Sequence, residues 1–322
     1  MNNIDRMGAP LPEVQTILGA GGVIANELMR ELVARVECVR LVRRHPTPPG
    51  PRMESRAADL LDAGQVADAV KGSTVAYLVA GLPYRADVWE AQWPVLLDNV
   101  IDACKRHRVR LVFLDNLYLY GQQEAPITED TAPNPCSRKG AVRARLAERL
   151  EAEMRAGNLQ ALIARGADFY GPGAGKSFVH PMVFELLCDG KKAAWMGRDD
   201  VPHSLLFTPD AGRALAILGN TPDAYGQAWL LPCDAPAPTG RAFITRVAAQ
   251  FHSRPGYRVL GPRVLRLAGF FHPAVRESIE LLYQNTRPYV VDSRKFAERF
   301  FPATPWPEGI RITAEGMIYP RR

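Results

Sequence analysis

Through the first third of the chain, short apolar runs alternate with stretches whose apolar residues recur every three or four positions. Each change of period marks a change of element. Val14–Leu18 reads as a buried strand, and residues 23–34 as the helix that follows it. Residues 38–42 are a second short strand, after which Pro46, Pro48, Pro49 and Pro51 make 45–52 a connection. A helix over 62–70, a strand over 74–79, a helix over 89–106 and an apolar strand over 110–114 come next. This alternation predicts an α/β chain with a doubly wound parallel sheet.

Residues 140–156 are rich in Ala, Arg, Leu and Glu without a breaker and predict a long helix, with a strand over 159–164. Beyond Tyr170-Gly171-Pro172-Gly173 the pattern loosens. Helices over 178–188 and 210–218, strand pieces over 193–196 and 205–208, and a last core strand over 228–231 are expected. The Pro-rich stretch 232–238 reads as a linker. Helical candidates at 239–250, 263–268, 273–283 and 293–300 follow it.

The glycines between the first strand and the first helix carry the first chemistry. Gly19 permits a tight turn, Gly22 lets the backbone approach a pyrophosphate, and the small Ala25 lets helix and strand pack closely. The N–H groups of Val23 and Ile24, at the helix start, then face the phosphates. The second strand ends in Arg43-Arg44, where a carboxylate would hold the ribose hydroxyls of NAD. Arginine suits a 2′-phosphate, so NADP is expected rather than NAD.

Composition narrows the partners. With 322 residues, 47% hydrophobic and 23% charged, the chain has the makeup of a globular protein with a large core. The net charge of +6 comes with no nucleic-acid motif, and the basic clusters at 105–110 and 138–149 read as solvated helix faces. No apolar run reaches membrane-spanning length, and the start lacks a signal-peptide pattern, so a cytoplasmic protein without a membrane partner is expected. Five cysteines are scattered singly with no metal-ligand spacing, which fits free thiols and no metal site.

With these motifs in order, the chain resembles the extended short-chain dehydrogenase/reductase superfamily of NAD(P)-dependent epimerases, dehydratases and reductases. Its Gly-x-x-Gly-x-x-Gly turn matches Gly19, Gly22 and Ala25. The resemblance implies that Asp59 and Leu60 lie at the adenine, that Ala80 and Gly81 border the cofactor, and that 165–172 is the segment ending in Tyr-Gly-Pro. It also implies a Rossmann-type sheet with a smaller C-terminal substrate-binding part. On that division 1–12 is a tail, 13–170 with returning segments at about 205–231 binds the dinucleotide, and 171–204 with 232–322 binds substrate.

The family's catalytic residues are a Ser or Thr and a Tyr-x-x-x-Lys pair, and here all three identities differ. By register from Tyr120-Gly121, Asn116 takes the Ser position; further on, residues 135–143 match the second motif, with Lys139 at the Tyr position and Arg143 at the Lys position. Asn116 can donate an amide hydrogen bond to a substrate oxygen, and Arg143 can bind ribose hydroxyls. Lys139 is the expected acid, since lysine's reference pKa of about 10.4 is close to tyrosine's, about 10. Tyr118 is a second candidate acid. Asp115 reads either as a buried carboxylate beside the cofactor or as a local cap, and His180 and His203 either as acid–base groups or as structural ones.

Tyr84, Trp89, Tyr118, Phe169, Tyr170 and Phe178 are candidate pocket walls. Relatives acting on nucleotide-linked sugars carry an acidic residue where this chain has Tyr257, which turns the expectation toward a smaller carbonyl-type substrate. The function expected is an NAD(P)-dependent oxidoreductase or epimerase-like protein. The alternative is an NADP-binding sensor without turnover. A homodimer is expected through two helical stripes, Val95, Leu96, Val100 and Ala103 on one and Val142, Leu146 and Leu150 on the other.

Overall fold

The strand β1 (Val14–Leu18) is buried at every position, as an inner strand of a sheet covered on both faces must be. The computed structural model to which it belongs describes residues 13–254 and 256–318, so the expected tail at 1–12 lies outside the described residues. The first half of the chain runs through α1 (Val23–Val33), β2 (Cys38–Arg43), β3 (Met53–Ala57), α2 (Ala63–Val70), β4 (Val75–Leu78) and α3 (Ala86–His107). It continues with β5 (Arg110–Asn116), α4 (Arg138–Arg155) and β6 (Ala161–Gly166). The looser second half holds β7 (Asp168–Tyr170), α5 (Glu185–Cys188), β8 (Ala193–Met196), β9 (Leu205–Phe207), α6 (Thr208–Gly219) and β10 (Ala228–Leu230). It closes with α7 (Gly240–Gln250), β11 (Tyr257–Leu260), α8 (Pro262–Phe271), α9 (Pro273–Ile279), α10 (Tyr283–Thr286), α11 (Arg294–Arg299) and α12 (Trp306–Ile318).

Among the described residues, seven strands form one parallel sheet in the order β10-β6-β5-β4-β1-β2-β3. Because β1 pairs with β2 on one side and β4 on the other, the winding reverses there. A reversal of this kind opens a crevice at the carboxyl ends of the strands. Helices α1 and α6 pack together, as do α3 and α4. A second apolar cluster, with Val179, Phe184, Trp195, Phe207, Phe243 and Val247 among its members, lies under the C-terminal part.

Three departures from the sequence reading have physical causes. The strand β3 was not expected because its sequence, Met-Glu-Ser-Arg-Ala, is polar; it is the sheet edge and stays half exposed. The expected helix over 178–188 is a wide π turn at His180–Phe184 that tightens into α5. The helix α12 extends past the last predicted element and buries Ile310 and Ala314.

The dimer stripes also need correction. Leu96, Val100, Ala103, Val142, Leu146 and Leu150 are all buried in the chain's own core, and Val95 alone of the named set is exposed. Outside that core, α3 and α4 are tied by ion pairs of Glu90 with Arg138, Asp98 with Arg149 and Lys105 with Glu153. Among the described residues, no helix is long and apolar enough to cross a membrane.

Candidate nucleotide-binding and catalytic site

At the crevice the chain turns from β1 into α1 through Gly19, at φ 92°, and Gly21, at φ 103°. The N–H groups of Gly19 and Ala20 both donate to the Val42 carbonyl at 3.0 Å, which pins the turn to β2. A methyl group on Gly19 would overlap the backbone of Ala80, so the ends of β1 and β4 meet there with only glycine between them. Nothing lies within 4 Å of the place where a side chain on Gly22 would stand. The first backbone bond of α1 is Asn26 N–H to the Gly22 carbonyl at 3.0 Å, so the N–H groups of Val23 and Ile24 precede the intrahelical ladder.

Arg43, the last residue of β2, lays its guanidinium across this turn, 3.2 Å from where a Cβ on Gly21 would be. Asp59 follows β3, and its carboxylate accepts the Leu61 N–H at 3.0 Å. The Leu60 carbonyl accepts from Asn99 of α3 at 3.1 Å, which holds the expected adenine side of the crevice to the helix layer. Gly81, beside Ala80, also has open space on its Cβ side. An open helix N-terminus, glycines without side chains and a guanidinium across them together suit a dinucleotide diphosphate.

The other side of the crevice is built by β5 and the start of α4. Ser137 caps α4, its hydroxyl accepting the Gly140 N–H at 3.0 Å, and so fixes the first turn, which carries Lys139 and leads into the second with Arg143. Arg143 is buried, with its guanidinium 4.0 Å from the Trp93 ring centre and 4.6 Å from that of Trp89. Its Nη1 lies 3.3 Å from Asp115 Oδ1, yet Nε and Nη1 have no hydrogen-bond partner among the described residues. These donors are closed off from solvent between the tryptophan rings and Asp115. Burial lowers the pKa of Arg143 and Asp115 opposes it, while burial raises that of the Asp115 carboxyl against the pull of Arg143 and Arg165.

Asn116 closes β5, and its Oδ1 accepts the Tyr118 N–H at 3.0 Å, leaving the amide NH2 as its donor end. The Tyr118 ring stacks on Trp89, and its hydroxyl lies 3.2 Å from that of Tyr84. Burial, reinforced by Tyr84 and Asp168, pushes the Tyr118 hydroxyl well above the ordinary tyrosine value, so it is a neutral donor at physiological pH.

Lys139 has surroundings other than those expected. It is fully buried, and its ammonium donates to the Glu277 carbonyl at 2.9 Å, Glu277 Oε2 at 2.7 Å and Glu280 Oε1 at 2.8 Å. An ammonium has three N–H donors, and all three are taken. The same carboxylates accept backbone N–H groups, Glu277 from Ala86 and Glu280 from Arg138, both across the crevice wall. Where the sequence leads to an acid free to serve a substrate, the structure surrounds the ammonium with two carboxylates.

Sequence reasoning missed Glu277 and Glu280; the one available signal was two acids three residues apart on a predicted helix. It also missed Asp168, whose Oδ2 lies 2.9 Å from His203 Nε2 while His203 Nδ1 faces the Gln284 carbonyl at 3.0 Å. Of the candidate wall aromatics, Tyr84, Trp89 and Tyr118 come together. Tyr170 and Phe178 belong to the second apolar cluster.

Fold and turn together define a Rossmann-type dinucleotide-binding protein. A model of the NAD dependent epimerase/dehydratase family matches residues 16–231, and the chain belongs to that family. A sequence search of curated proteins gave no match. Among solved structures, the chain is similar to dTDP-glucose 4,6-dehydratase from Streptomyces venezuelae with NAD bound, at 17% identity and a TM-score of 0.77 over 96% of this chain and 98% of that one. It is also similar to the Thermus thermophilus UDP-glucose 4-epimerase complex with NAD, at 19% identity and a TM-score of 0.75 over 96% and 100%. A third similar structure is UDP-N-acetylglucosamine 4-epimerase from Bacillus cereus, at 13% identity and a TM-score of 0.75 over 96% and 98%.

Proposed function

We propose that this chain is a cytoplasmic NADP-dependent oxidoreductase or epimerase-like enzyme acting on a small carbonyl-type substrate. The observation that carries the reading is the Arg43 guanidinium lying across the glycine turn at the end of a strand without a carboxylate. Two of the solved neighbours named above, the dTDP-glucose 4,6-dehydratase and the UDP-glucose 4-epimerase, hold NAD; Arg43 is the reason for preferring NADP here. A bound nicotinamide supplies or accepts hydride at a carbonyl carbon. Arg143 stands at the position of the family's ribose-binding Lys and takes that role here, and the Asn116 amide orients the substrate oxygen.

For the proton, the geometry favours Tyr118 over Lys139. The Tyr118 hydroxyl is neutral and has one hydroxyl neighbour, whereas every Lys139 donor is engaged with α9 and its backbone. In this reading Lys139 positions Tyr84, whose ring centre is 4.7 Å from its ammonium, and can donate to a substrate only when Glu277 and Glu280 withdraw. Nucleotide sugars, the substrates of the neighbours, are not carried over. Tyr257 stands where relatives acting on nucleotide-linked sugars carry an acidic residue, and its hydroxyl is spent on Asp199 at 2.6 Å. A homodimer, expected from the sequence, would have to form on a face other than the buried stripes.

The test is to follow bound NADPH fluorescence as ketones, enones and quinones are added. Decay with one class of carbonyl is expected, and Tyr118→Phe should slow it about 10²- to 10⁴-fold. Persistent fluorescence across the panel would instead favour cofactor sensing without turnover.

A further inference from the structure

The hairpin α8–α9 is attached to the crevice from inside and bare on the outside. Through Glu277 and Glu280 its inner side holds Lys139 and the N-terminal turn of α3. Its outer side presents Val264, Leu267, Phe270 and Phe271, with Phe270 82% and Phe271 77% exposed. The first three recur every three residues along α8, and the two phenylalanines sit together where α8 ends and α9 begins. Only Leu265 and Gly269 of α8 are buried, so the more apolar face of the helix is the one left to solvent.

Charge decides what fits this face. Arg258, Arg263, Arg266 and Arg276 are exposed around it, and the sequence has no acid between Arg254 and Glu277. Pairing the face with itself in a second copy would bring arginines against arginines with no carboxylate between them. An aromatic pair at a hairpin tip with arginines along its flanks matches a helix lying in a lipid interface, where apolar side chains enter the headgroup layer and arginines meet anionic headgroups.

We propose that the outer face of α8 docks the protein on an anionic lipid surface, with Phe270 and Phe271 inserted and Arg263 and Arg266 on the headgroups. No spanning helix is needed for attachment of this kind.

The experiment is co-sedimentation of the full chain with phosphatidylcholine vesicles, with and without phosphatidylglycerol. Binding is expected on the phosphatidylglycerol vesicles and should weaken as salt rises. Phe270→Ser with Phe271→Ser should reduce the bound fraction by about tenfold, as should Arg263→Gln with Arg266→Gln. All four side chains are exposed, so the melting temperature of each variant should match that of the parent. Failure to bind, equal binding to both vesicle types, or binding indifferent to the phenylalanine pair would overturn the proposal. A concentration-dependent dimer in light scattering that disappears with Phe270→Ser would overturn it in favour of a second copy.

Discussion

On the β1–α1 side of the crevice the binding surface is backbone: glycines at positive φ, an open helix start and one arginine laid across them. On the α4 side it is buried charge: Lys139 among two carboxylates, and Arg143 between tryptophans and Asp115. A backbone surface depends on local sequence, because a particular turn requires glycine at particular positions. A surface of buried charges depends on partners, since each charge must be matched by a residue that the fold brings to it. The two sides should therefore fail differently when altered.

Gly19→Val should have the largest effect. A side chain there meets the Ala80 backbone and must adopt φ 92°, so we expect a loss of about 4 kcal/mol in unfolding free energy, read from the urea midpoint. Near-parental stability would mean that β1 and β4 separate more easily than their contact implies.

Glu277→Gln with Glu280→Gln comes next and attacks the other side. Removing both carboxylates leaves the Lys139 ammonium buried without a countercharge, for an expected loss of about 3 kcal/mol. Adding Lys139→Met should restore stability to within about 1 kcal/mol of the parent, because it removes the unpaired charge itself. NADP binding should change little in either variant. If the triple variant stayed as unstable as the double, the unpaired ammonium would not be the source of the loss.

This contrast also explains what was legible in the sequence. The strands β1, β2, β4 and β5 and the turn at Gly19 could be read because buried parallel strands are apolar and the turn's glycines lie within four residues. The edge strand β3 could not, because a half-exposed edge needs no apolar run. Lys139 and Arg143 were found because residues 135–143 match the family's Tyr-x-x-x-Lys motif, but their surroundings were not. Glu277 lies 138 residues beyond Lys139, and no local pattern links an acid on one helix to an ammonium on another. The dimer stripes were misread for a related reason: periodicity shows that a helix has an apolar face, not whether the chain's own sheet already covers it.

Arg43→Asp should have a smaller effect and sharpens the backbone side. With a carboxylate in place of the guanidinium, NADP affinity should fall by at least about tenfold, or 1.4 kcal/mol, while NAD affinity holds or rises. Parallel fluorescence titrations with NADPH and NADH read both. An equal loss for the two cofactors would mean that Arg43 supports the Gly21 turn instead of meeting a 2′-phosphate.

The smallest expected effect separates buried charge in the site from charge at the α3–α4 seam. Glu153, at the α3–α4 seam, accepts hydrogen bonds from Arg149 and Lys105, which lower its pKa from the ordinary 4.5 to about 2. Asp115 faces Arg143 at the site, yet burial raises its pKa. For Glu153 the unfolded chain takes up the proton first as pH falls. Its stabilisation is therefore complete above about pH 4.5 and is lost as pH drops toward 2. For Asp115 the folded chain takes up the proton first, so its contribution to stability rises as pH falls through its raised pKa. Thermal unfolding from pH 7 to pH 2.5 should show a shallower acid-side loss in Glu153→Gln, by about 1 kcal/mol or less because Arg149 and Lys105 are solvent-screened. Asp115→Asn should make the acid-side loss steeper, since it removes a group that opposes it. If both variants moved the acid limb in the same direction, pairing with Arg143 would outweigh the burial of Asp115, and the site carboxylate would behave like Glu153 at the seam.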